Sequence, residues 1–383
     1  MLRIPTINNI NDGKKLYYRP NEEQKKYFTR VKIDIEHKYG IKLKSRDFII
    51  KQLIACMTNG DYKSYTVSNV ELSVIRTDIK KFYPSVNKHK LYQRISNSSL
   101  LNYESMEVLK TMFFTSKIKG IPLGFPFSGH LAEIYLEKFD YDVRLKLKPL
   151  FYFRYVDDII IINYSSLDNL EEADNLRLKL LEEIFTNYDL KMNKNKTQKA
   201  YIFKSAEQTK LYSFDYLGYS FSVENQKLIV DISREKVIKL KKRILYLFYL
   251  YKKSSKSNED FWKLYYRLKN ILYGVTSIDK NQKVMKFGLG YSYKYINSTK
   301  QLKEIIKFIR VEIYKCQFEK KKYFTISGLL PKDNQELSLL KRRHNYTNLT
   351  INQINQLKKR IGLHTASNNL SRIFYVLYKD VNY

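Results

Sequence analysis

The stretch FRYVDDIIII, residues 153–162, sets two adjacent carboxylates between aromatic residues and a run of four isoleucines. The isoleucine run predicts a buried β-strand. A carboxylate that is buried alone costs several kcal/mol unless a cation offsets its charge. Two interpretations are therefore open. Asp157 and Asp158 either form the acidic tip of an ordinary hairpin turn, or they bind a metal ion.

The composition is that of a large globular protein. Its 383 residues are 44% hydrophobic and 28% charged, which is enough for a core and for two or three subdomains. We find no apolar stretch of the roughly 20 residues that cross a bilayer, and no apolar secretory signal at the start. Cys56 and Cys316 lie far apart and form no metal-binding spacing. A reduced, cytoplasmic setting is therefore expected.

Positive charge is concentrated in the C-terminal part of the chain. Lys and Arg total 70 against 38 Asp and Glu, a net charge of +32. Residues 226–383 hold 34 of these basic and 11 of these acidic side chains. Such an excess indicates a polyanionic partner, and nucleic acid is the partner that we expect. A basic membrane-surface protein is the competing interpretation, but no lipidation motif or amphipathic anchor supports it.

The order of the predicted elements indicates an α+β fold. The first 60 residues have helical spacing, with Ser45 as a candidate N-cap. From about residue 232 onwards the pattern is again helical, notably at 261–273, 300–318 and 352–378. Between these regions we predict a strand at 65–79, a helix at about 88–114, a turn-rich loop and helix from 120, a hairpin at 151–164 and a helix at 167–188.

Five motifs follow one another along the chain, namely TDIKKFYPSV with Asp78, GIPLGFPFSG, the box Tyr155-Val156-Asp157-Asp158, LKMNKNKTQ and DYLGYSF. Their order and spacing resemble the palm motifs of reverse transcriptases. The resemblance covers roughly residues 70–222, and it favours a metal site over a simple acidic turn. The resemblance implies a right-hand polymerase fold. We expect fingers at 1–75, a palm at 76–225, a thumb at 226–295 and a basic helical C-terminal extension at 296–383.

The resemblance assigns catalysis and metal binding to Asp78, Asp157 and Asp158. Phosphoryl transfer needs two divalent ions about 4 Å apart, one at the primer 3′-hydroxyl and one at the triphosphate. Hard ions such as Mg²⁺ prefer carboxylate oxygens, so the expected cofactor is a pair of Mg²⁺ ions, with Mn²⁺ as an alternative. Asp78 and Asp157 can approach each other only if their strands are neighbours in one sheet.

Further residues match nucleotide-binding positions of the family. Tyr83 matches the steric gate that excludes a ribose 2′-hydroxyl, although a core aromatic is the structural alternative. Lys196 matches a lysine that neutralises or protonates the leaving pyrophosphate, and a solvated lysine is its alternative. Arg76 is the first candidate for a triphosphate contact, ahead of Lys63 and Arg46.

The loop before the next helix and a later turn complete the match. Leu123 stands where most reverse transcriptases have the glutamine of a Pro-Gln-Gly loop, and Gly124 and Ser128 follow it. The alternative for Gly124 and Ser128 is that they only form the turn and cap the helix. Leu217 and Gly218 match the primer grip, and an ordinary hairpin is their alternative.

The aliphatic Leu123, together with Phe82-Tyr83-Pro84-Ser85 and His89, resembles the bacterial abortive-infection and defence-associated reverse transcriptases. That resemblance implies a role in antiphage defence, with DNA synthesis that is protein-primed, untemplated or copied from a small partner RNA. The change from glutamine to Leu123 puts ordinary template-directed fidelity in doubt.

Two other functions stay open, a retron-like RNA-templated reverse transcriptase and a catalytically silent nucleic-acid-binding scaffold. The expected partners are an RNA template, a DNA product and dNTPs, with a small non-coding RNA, a partner protein and a second copy of the chain as further candidates. No membrane partner is expected.

Overall fold

The computed structural model describes residues 7–8, 17–18, 20–114, 119–165, 170–203, 213–279, 283–364, 373 and 376–377. The chain divides into two compact units. Residues 1–217 and 223–227 belong to the first unit, and residues 218–222 and 228–383 to the second. Within the described ranges, no helix combines the length and the apolar character that crossing a membrane requires.

The first unit mixes helices and strands. In chain order they are β1 (Ile7–Asn8), β2 (Tyr17–Tyr18), α1 (Glu22–Tyr39), α2 (Arg46–Thr58), β3 (Leu72–Asp78), α3 (Phe82–Ser85), α4 (Lys88–Ser98), α5 (Tyr103–Phe114), α6 (Ser128–Leu147), β4 (Phe151–Tyr155), β5 (Asp158–Tyr164), α7 (Leu170–Asn187), β6 (Gln198–Ile202) and β7 (Ser213–Tyr216). A short 3-10 helix, Lys194–Lys196, precedes β6.

An antiparallel sheet in the order β4-β5-β3-β6 forms the centre of the first unit. Strands β4 and β5 form the hairpin that the sequence predicts at 151–164, which is confirmed. Ile159 and Ile161 belong to the helical core on one face of the sheet. Ile160 and Ile162 alternate with them along the strand and are equally buried. Because both faces are covered, β5 is a continuous apolar run rather than an alternating one.

Local signals in the sequence determine several helix ends. Asn21 and Gln24 form a capping box at the start of α1. Ser45 accepts a hydrogen bond from the Phe48 amide and caps α2, as predicted. The helical stretch predicted at 88–114 is interrupted, because α4 ends at Ser98 and the next residue, Ser99, has a left-handed φ of 51°.

One hydrophobic core joins the helices of the first unit to the sheet. Phe28 of α1, Leu91 of α4, Leu109 of α5, Phe139 of α6 and Phe185 of α7 all belong to it. Burying a side chain of this size stabilises the fold by about 1.5–3 kcal/mol relative to leaving it exposed. Ten of the 20 residues of α6 are buried, so the backbone of this helix is anchored in the core.

The second unit is mainly helical. Part of β8 (Tyr219–Glu224) and most of β9 (Lys227–Ile232) belong to it, while residues 223–227 belong to the first unit. The elements that follow are α8 (Arg234–Lys253), α9 (Asn258–Leu272), β10 (Gly274–Ile278), β11 (Val284–Phe287), α10 (Leu289–Ser292), α11 (Lys300–Lys315), α12 (Lys320–Ser327), a 3-10 helix (Glu336–Lys341), β12 (Arg343–Asn345) and α13 (Ile351–Arg360).

The helices predicted at 261–273 and 300–318 are confirmed as α9 and α11, but the segments around α11 also contain three short strands, which the helical pattern predicted from about residue 232 does not include. Strand β10 pairs antiparallel with β11 and parallel with β12. These strands are only three to five residues long, too short to show an alternating pattern. The pairing of Gly274 with Arg343 joins segments that lie far apart in the sequence, so no local sequence pattern predicts it. The predicted helix at 352–378 is seen as α13, and most of its later residues lie outside the described ranges.

The aromatic segment DFWKLYYRLKN of α9 contributes to a core. Tyr266 is buried, and Trp262 and Tyr265 pack against the same cluster. The Arg360 guanidinium lies over the Trp262 ring, 4.1 Å from its centroid. These rings are therefore occupied by protein contacts, and exposed aromatic residues of the second unit must be sought on another helix.

Candidate active site

The two carboxylates of the opening stretch lie at the tip of the β4–β5 hairpin. Tyr155 pairs with Asp158, which leaves Val156 and Asp157 as the turn. Val156 has a φ of 61°, a conformation that is strained for a β-branched residue and costs about 1–3 kcal/mol. The backbone amide of Ile79 donates a hydrogen bond to the Asp157 carbonyl at 3.0 Å. The tip is thus attached to the end of β3.

Asp78 is brought directly beside Asp158 by strand register. The two residues are paired across β3 and β5. Asp78 is buried, its Oδ2 accepts a hydrogen bond from Lys196 Nζ at 2.5 Å, and its Oδ1 is buried with no hydrogen-bond partner. A buried carboxylate oxygen without a donor is costly. Such an oxygen suits a divalent cation, which prefers carboxylate ligands.

The complete set of three metal ligands stays a prediction. No group of three His, Cys, Asp or Glu side chains is arranged to hold a metal ion in the part of the chain that the structure describes. The structure does bring β3 beside the hairpin that carries Asp157 and Asp158, as the sequence requires for a shared site.

Asp158 lies in a partly buried, charged environment. Burial raises the pKa of its carboxyl group and the neighbouring Asp78 raises it further, whereas Arg76 lowers it. Arg76 Nη2 donates to Asp158 Oδ1 at 3.3 Å. Arg76, the first candidate from the sequence for a contact with the triphosphate, therefore forms a hydrogen bond with Asp158 instead. Its contact with the triphosphate stays a prediction.

Lys196 lies within the site. Its hydrogen bond with Asp78 raises the pKa of the ammonium group, which is therefore protonated at neutral pH. The Lys196 side chain is still 58% exposed. It is thus paired with a buried carboxylate and at the same time accessible to a ligand from solvent.

Tyr83 comes close to the hairpin tip. It packs against Phe82 with ring centroids 5.3 Å apart. Burial raises the pKa of its hydroxyl to about 12, and the charge of Asp157 contributes in the same direction. With Glu133, Tyr155 and other residues it lines a cleft of about 150 Å³. The neutral phenol ring therefore stands at the edge of the candidate site.

The loop before α6 makes a close backbone approach. Gly124 has a φ of 100°, and a Cβ atom there would lie 2.2 Å from the Tyr18 carbonyl oxygen. The Tyr18 amide donates to the Leu123 carbonyl at 2.8 Å. The Ser128 hydroxyl donates to the Pro122 carbonyl, and Ser128 is the first residue of α6 rather than its N-cap. Gly124 is required by the turn itself, and Ser128 braces the loop.

Leu217 and Gly218 form a tight turn, with φ values of 48° and 81°, the conformation of a two-residue hairpin loop. The Arg46 Nε–H donates to the Leu217 carbonyl at 2.8 Å. Arg46, which the sequence suggests as a weak triphosphate candidate, thus contacts this turn. Lys63 is exposed on a loop.

Sequence reasoning missed a buried charge cluster next to the hairpin tip. The Arg154 side chain is only 3% exposed. It forms paired hydrogen bonds with Glu133 and with Asp140, at 2.7–3.0 Å. These two carboxylates lie seven residues apart on α6, hence on one face. The sequence does contain one sign of this cluster, which is the arginine within the aromatic strand Phe151–Tyr155. A guanidinium that is buried in such a strand requires acidic partners.

Comparison with known protein families gives a match to the central segment of the chain. Residues 50–221 match the family model described as reverse transcriptase (RNA-dependent DNA polymerase). This segment of the chain is therefore similar to reverse transcriptase domains over residues 50–221. The matched segment runs from α2 into β8 and includes the sheet with Asp78, Asp157 and Asp158. A search of curated protein sequences found no match.

Similar solved structures include fungal telomerases. The apo telomerase of Candida tropicalis is 13% identical, with a TM-score of 0.41 over 92% of this chain and 60% of that one. The Candida albicans telomerase in complex with a TWJ fragment of telomeric RNA is 13% identical, with a TM-score of 0.37 over 92% of this chain and 56% of that one. A C-terminally truncated apo form from Candida tropicalis is 14% identical, with a TM-score of 0.38 over 54% and 45%. The chain spans about half the length of these proteins.

Gly124→Ala is expected to destabilise the first unit and disturb the loop. The new Cβ would meet the Tyr18 carbonyl, and alanine would also be strained at this φ, so the free energy of unfolding should fall by about 1–3 kcal/mol. Chemical denaturation measures the change. Gly40→Ala is the matched control, because Gly40 also has a positive φ but nothing lies within 4 Å of its Cβ position. Equal destabilisation by both variants would contradict the close approach at Gly124.

Proposed function

We propose that this chain is a reverse-transcriptase-type DNA polymerase that adds dNTPs to a primer by two-metal phosphoryl transfer, with RNA as the template. One observation carries the proposal. Inside a domain that matches reverse transcriptases, strand register pairs Asp78 with Asp158 at the tip of the hairpin that also holds Asp157. We further propose a division into fingers, palm and thumb, with the basic C-terminal extension following the thumb.

Asp78, Asp157 and Asp158 would hold the divalent ions, two Mg²⁺ or Mn²⁺. When bound, such ions lower the pKa of a primer hydroxyl and offset charge on the triphosphate. The unpartnered Oδ1 of Asp78 supports this assignment. A cation at Asp78 competes with Lys196 for the same carboxylate. Lys196, which is largely exposed, can then turn its ammonium group towards the departing pyrophosphate.

The incoming nucleotide would be bound by residues around this centre. Tyr83 would contact the sugar, and its position beside the cleft with Tyr155 supports that role. The loop beneath the base would be shaped by Leu123, Gly124 and Ser128. Arg76 would leave its hydrogen bond with Asp158 and contact the triphosphate. The turn at Leu217 and Gly218 would hold the primer strand.

Nucleic-acid binding by the second unit is supported by one face of α8. Tyr249 is 52% exposed and Leu245 is 47% exposed. The Tyr246 and Tyr249 rings are nearly parallel, at 22° with centroids 6.4 Å apart. Lys242 and Lys252 line the same shallow hollow. Stacking surfaces flanked by cations are what a single strand of RNA or DNA requires.

The biological setting follows from the motif resemblance. The aliphatic Leu123 and the Phe82-Tyr83-Pro84-Ser85 motif support a place among bacterial antiphage defence enzymes. In that setting the primer would be a protein hydroxyl or the template a small partner RNA. Asp78 and Asp157 would hold the ions in either mode, because the chemistry that such ions would supply does not depend on which molecule carries the hydroxyl.

Asp157→Asn is expected to lower metal-dependent dNTP incorporation by at least about 100-fold, because several kcal/mol of transition-state stabilisation is lost. The assay uses the purified chain with any nucleic acid that co-purifies, labelled dNTPs and Mg²⁺ or Mn²⁺. Asp189→Asn is the matched control, since Asp189 is an exposed carboxylate of the same unit that pairs with Lys90.

The product of this assay separates the alternatives. DNA that resists phenol extraction until protease is added indicates protein priming, whereas DNA joined to an RNA indicates a retron-like enzyme. Wild-type protein that binds nucleic acid but incorporates no dNTP with either metal and any template would support the silent scaffold and refute the polymerase.

Tyr83→Val is expected to keep polymerisation and to admit ribonucleotides. Removing the ring opens space for the 2′-hydroxyl, so the dNTP-over-rNTP ratio of kcat/KM should fall on the order of 10- to 100-fold, typical of a size-based pocket. Single-nucleotide extension measures the ratio. Tyr83→Phe, which retains the ring, should keep the wild-type ratio. If Tyr83→Val shows unchanged discrimination between dNTP and rNTP, the assignment of Tyr83 as the steric gate is refuted.

Tyr249→Ala is expected to weaken binding of single-stranded nucleic acid. Loss of one stacking ring costs about 1–3 kcal/mol, which is roughly a 5- to 150-fold rise in Kd. Fluorescence anisotropy with a labelled oligonucleotide at fixed salt measures it. Tyr314→Ala, at a tyrosine of α11 that is 78% exposed, is the control and should bind as the wild type does. An unchanged Kd for Tyr249→Ala would exclude the α8 face.

A further inference from the structure

The Arg154 guanidinium has all five of its N–H groups engaged. Nε and Nη2 donate to the two oxygens of Asp140, and Nη1 and Nη2 donate to the two oxygens of Glu133. The Tyr152 hydroxyl adds a hydrogen bond to Asp140 at 2.5 Å. Burial alone would lower the pKa of the guanidinium, but these acidic partners raise it, so Arg154 stays charged. Four of the five donors thus anchor the guanidinium to α6.

The fifth donor reaches the hairpin tip. Arg154 Nη1 donates to the Val156 carbonyl oxygen at 3.0 Å. This oxygen belongs to the peptide unit that connects Val156 to Asp157. Because Val156 is held at a positive φ, which L-residues other than glycine rarely adopt, the turn needs an external contact to favour this conformation. The direction in which that peptide plane lies also decides where the Asp157 side chain points.

We infer that Arg154, anchored by Glu133 and Asp140, is a positioning residue that fixes the Val156–Asp157 peptide and thereby aims the Asp157 carboxylate. This inference rests on the proposed polymerase function of the same site. Arg154 touches neither nucleotide nor metal in this role. It acts through the backbone of the turn, and α6 provides the rigid support.

Lysine cannot replace arginine here. The guanidinium is planar and spreads its five donors over three acceptor groups, whereas a lysine ammonium is a single point with three donors. Arg154→Lys would keep the positive charge against Glu133 and Asp140 but would have too few donors, and in the wrong geometry, to reach the Val156 carbonyl as well. The lysine variant therefore separates charge neutralisation from positioning.

Arg154→Lys is expected to lower kcat about 10- to 100-fold while KM for dNTP changes less than about 3-fold, since the interaction that is lost positions a carboxylate needed in the chemical step. A second readout needs no activity. Electron paramagnetic resonance of Mn²⁺ mixed with the chain alone should show weaker Mn²⁺ binding in Arg154→Lys than in the wild type.

Arg177→Lys is the matched control. Arg177 also joins a buried carboxylate, Asp174, to a backbone carbonyl, that of Tyr164, but at the opposite end of β5. This variant should keep the wild-type kcat and Mn²⁺ binding. A triple variant, Arg154→Met with Glu133→Gln and Asp140→Asn, removes the cluster's charges together, so that it folds without an unpaired ion. It should still show the loss of kcat and of Mn²⁺ affinity.

The outcomes distinguish this inference from the proposed function. If the wild type is active and Asp157→Asn is not, but a folded Arg154→Lys keeps both kcat and Mn²⁺ affinity, the positioning role is refuted and the polymerase stands. If the wild type incorporates no dNTP, the polymerase fails, and the Mn²⁺ comparison still decides whether Arg154 orients the tip. If Arg154→Lys and Arg177→Lys lose kcat and Mn²⁺ affinity to the same extent, Arg154 only stabilises the fold and the positioning role is refuted.

Discussion

The antiparallel pairing of β3 with β5 is the constraint on which the candidate site depends. Its register places Asp78 opposite Asp158 and the following Ile79 amide on the Asp157 carbonyl. A slip by one residue would turn every side chain of a strand to the other face. The four isoleucines at 159–162 are fully buried, but a slip by one residue would replace isoleucine by isoleucine at most of these positions. The residues that flank the run, Asp158 opposite Asp78 and the buried Asn163, are the ones that such a slip would move to the wrong face.

Four acidic side chains in and beside the site have a cationic partner within the protein. Asp78 pairs with Lys196 and Asp158 with Arg76, and Glu133 and Asp140 share Arg154. In a partly buried environment, unpaired carboxylates would be strongly destabilising. In the proposed function, binding of a divalent cation at Asp78 or Asp158 would therefore exchange one positive partner for another. The displaced lysine or arginine would remain beside the site, where a triphosphate would bring new negative charge.

The second unit shows how packing decides which aromatic side chains are available to a ligand. Trp262 and Tyr266 lie in a segment with alternating basic and aromatic residues, yet the first packs against a core cluster and the second is buried within it. Tyr249, in a segment of similar composition on α8, is half exposed. The excess of positive charge indicates a polyanionic partner for this part of the chain. It does not by itself indicate the helix face that the partner contacts.

The sequence alone determined the features that depend on neighbouring residues. Ser45 as a helix cap, the hairpin at 151–164, the isoleucine strand and the motif order of a reverse transcriptase domain are all read from short segments, because caps and periodicity act over a few residues. The tertiary structure decided the rest. Lys196 and Asp78, which form an ion pair, lie 118 residues apart in the sequence. Arg154 of β4 donates to two carboxylates of α6, and β10 pairs with the distant strand β12. Such pairings arise only when the hydrophobic core brings distant segments together, and no local pattern encodes them.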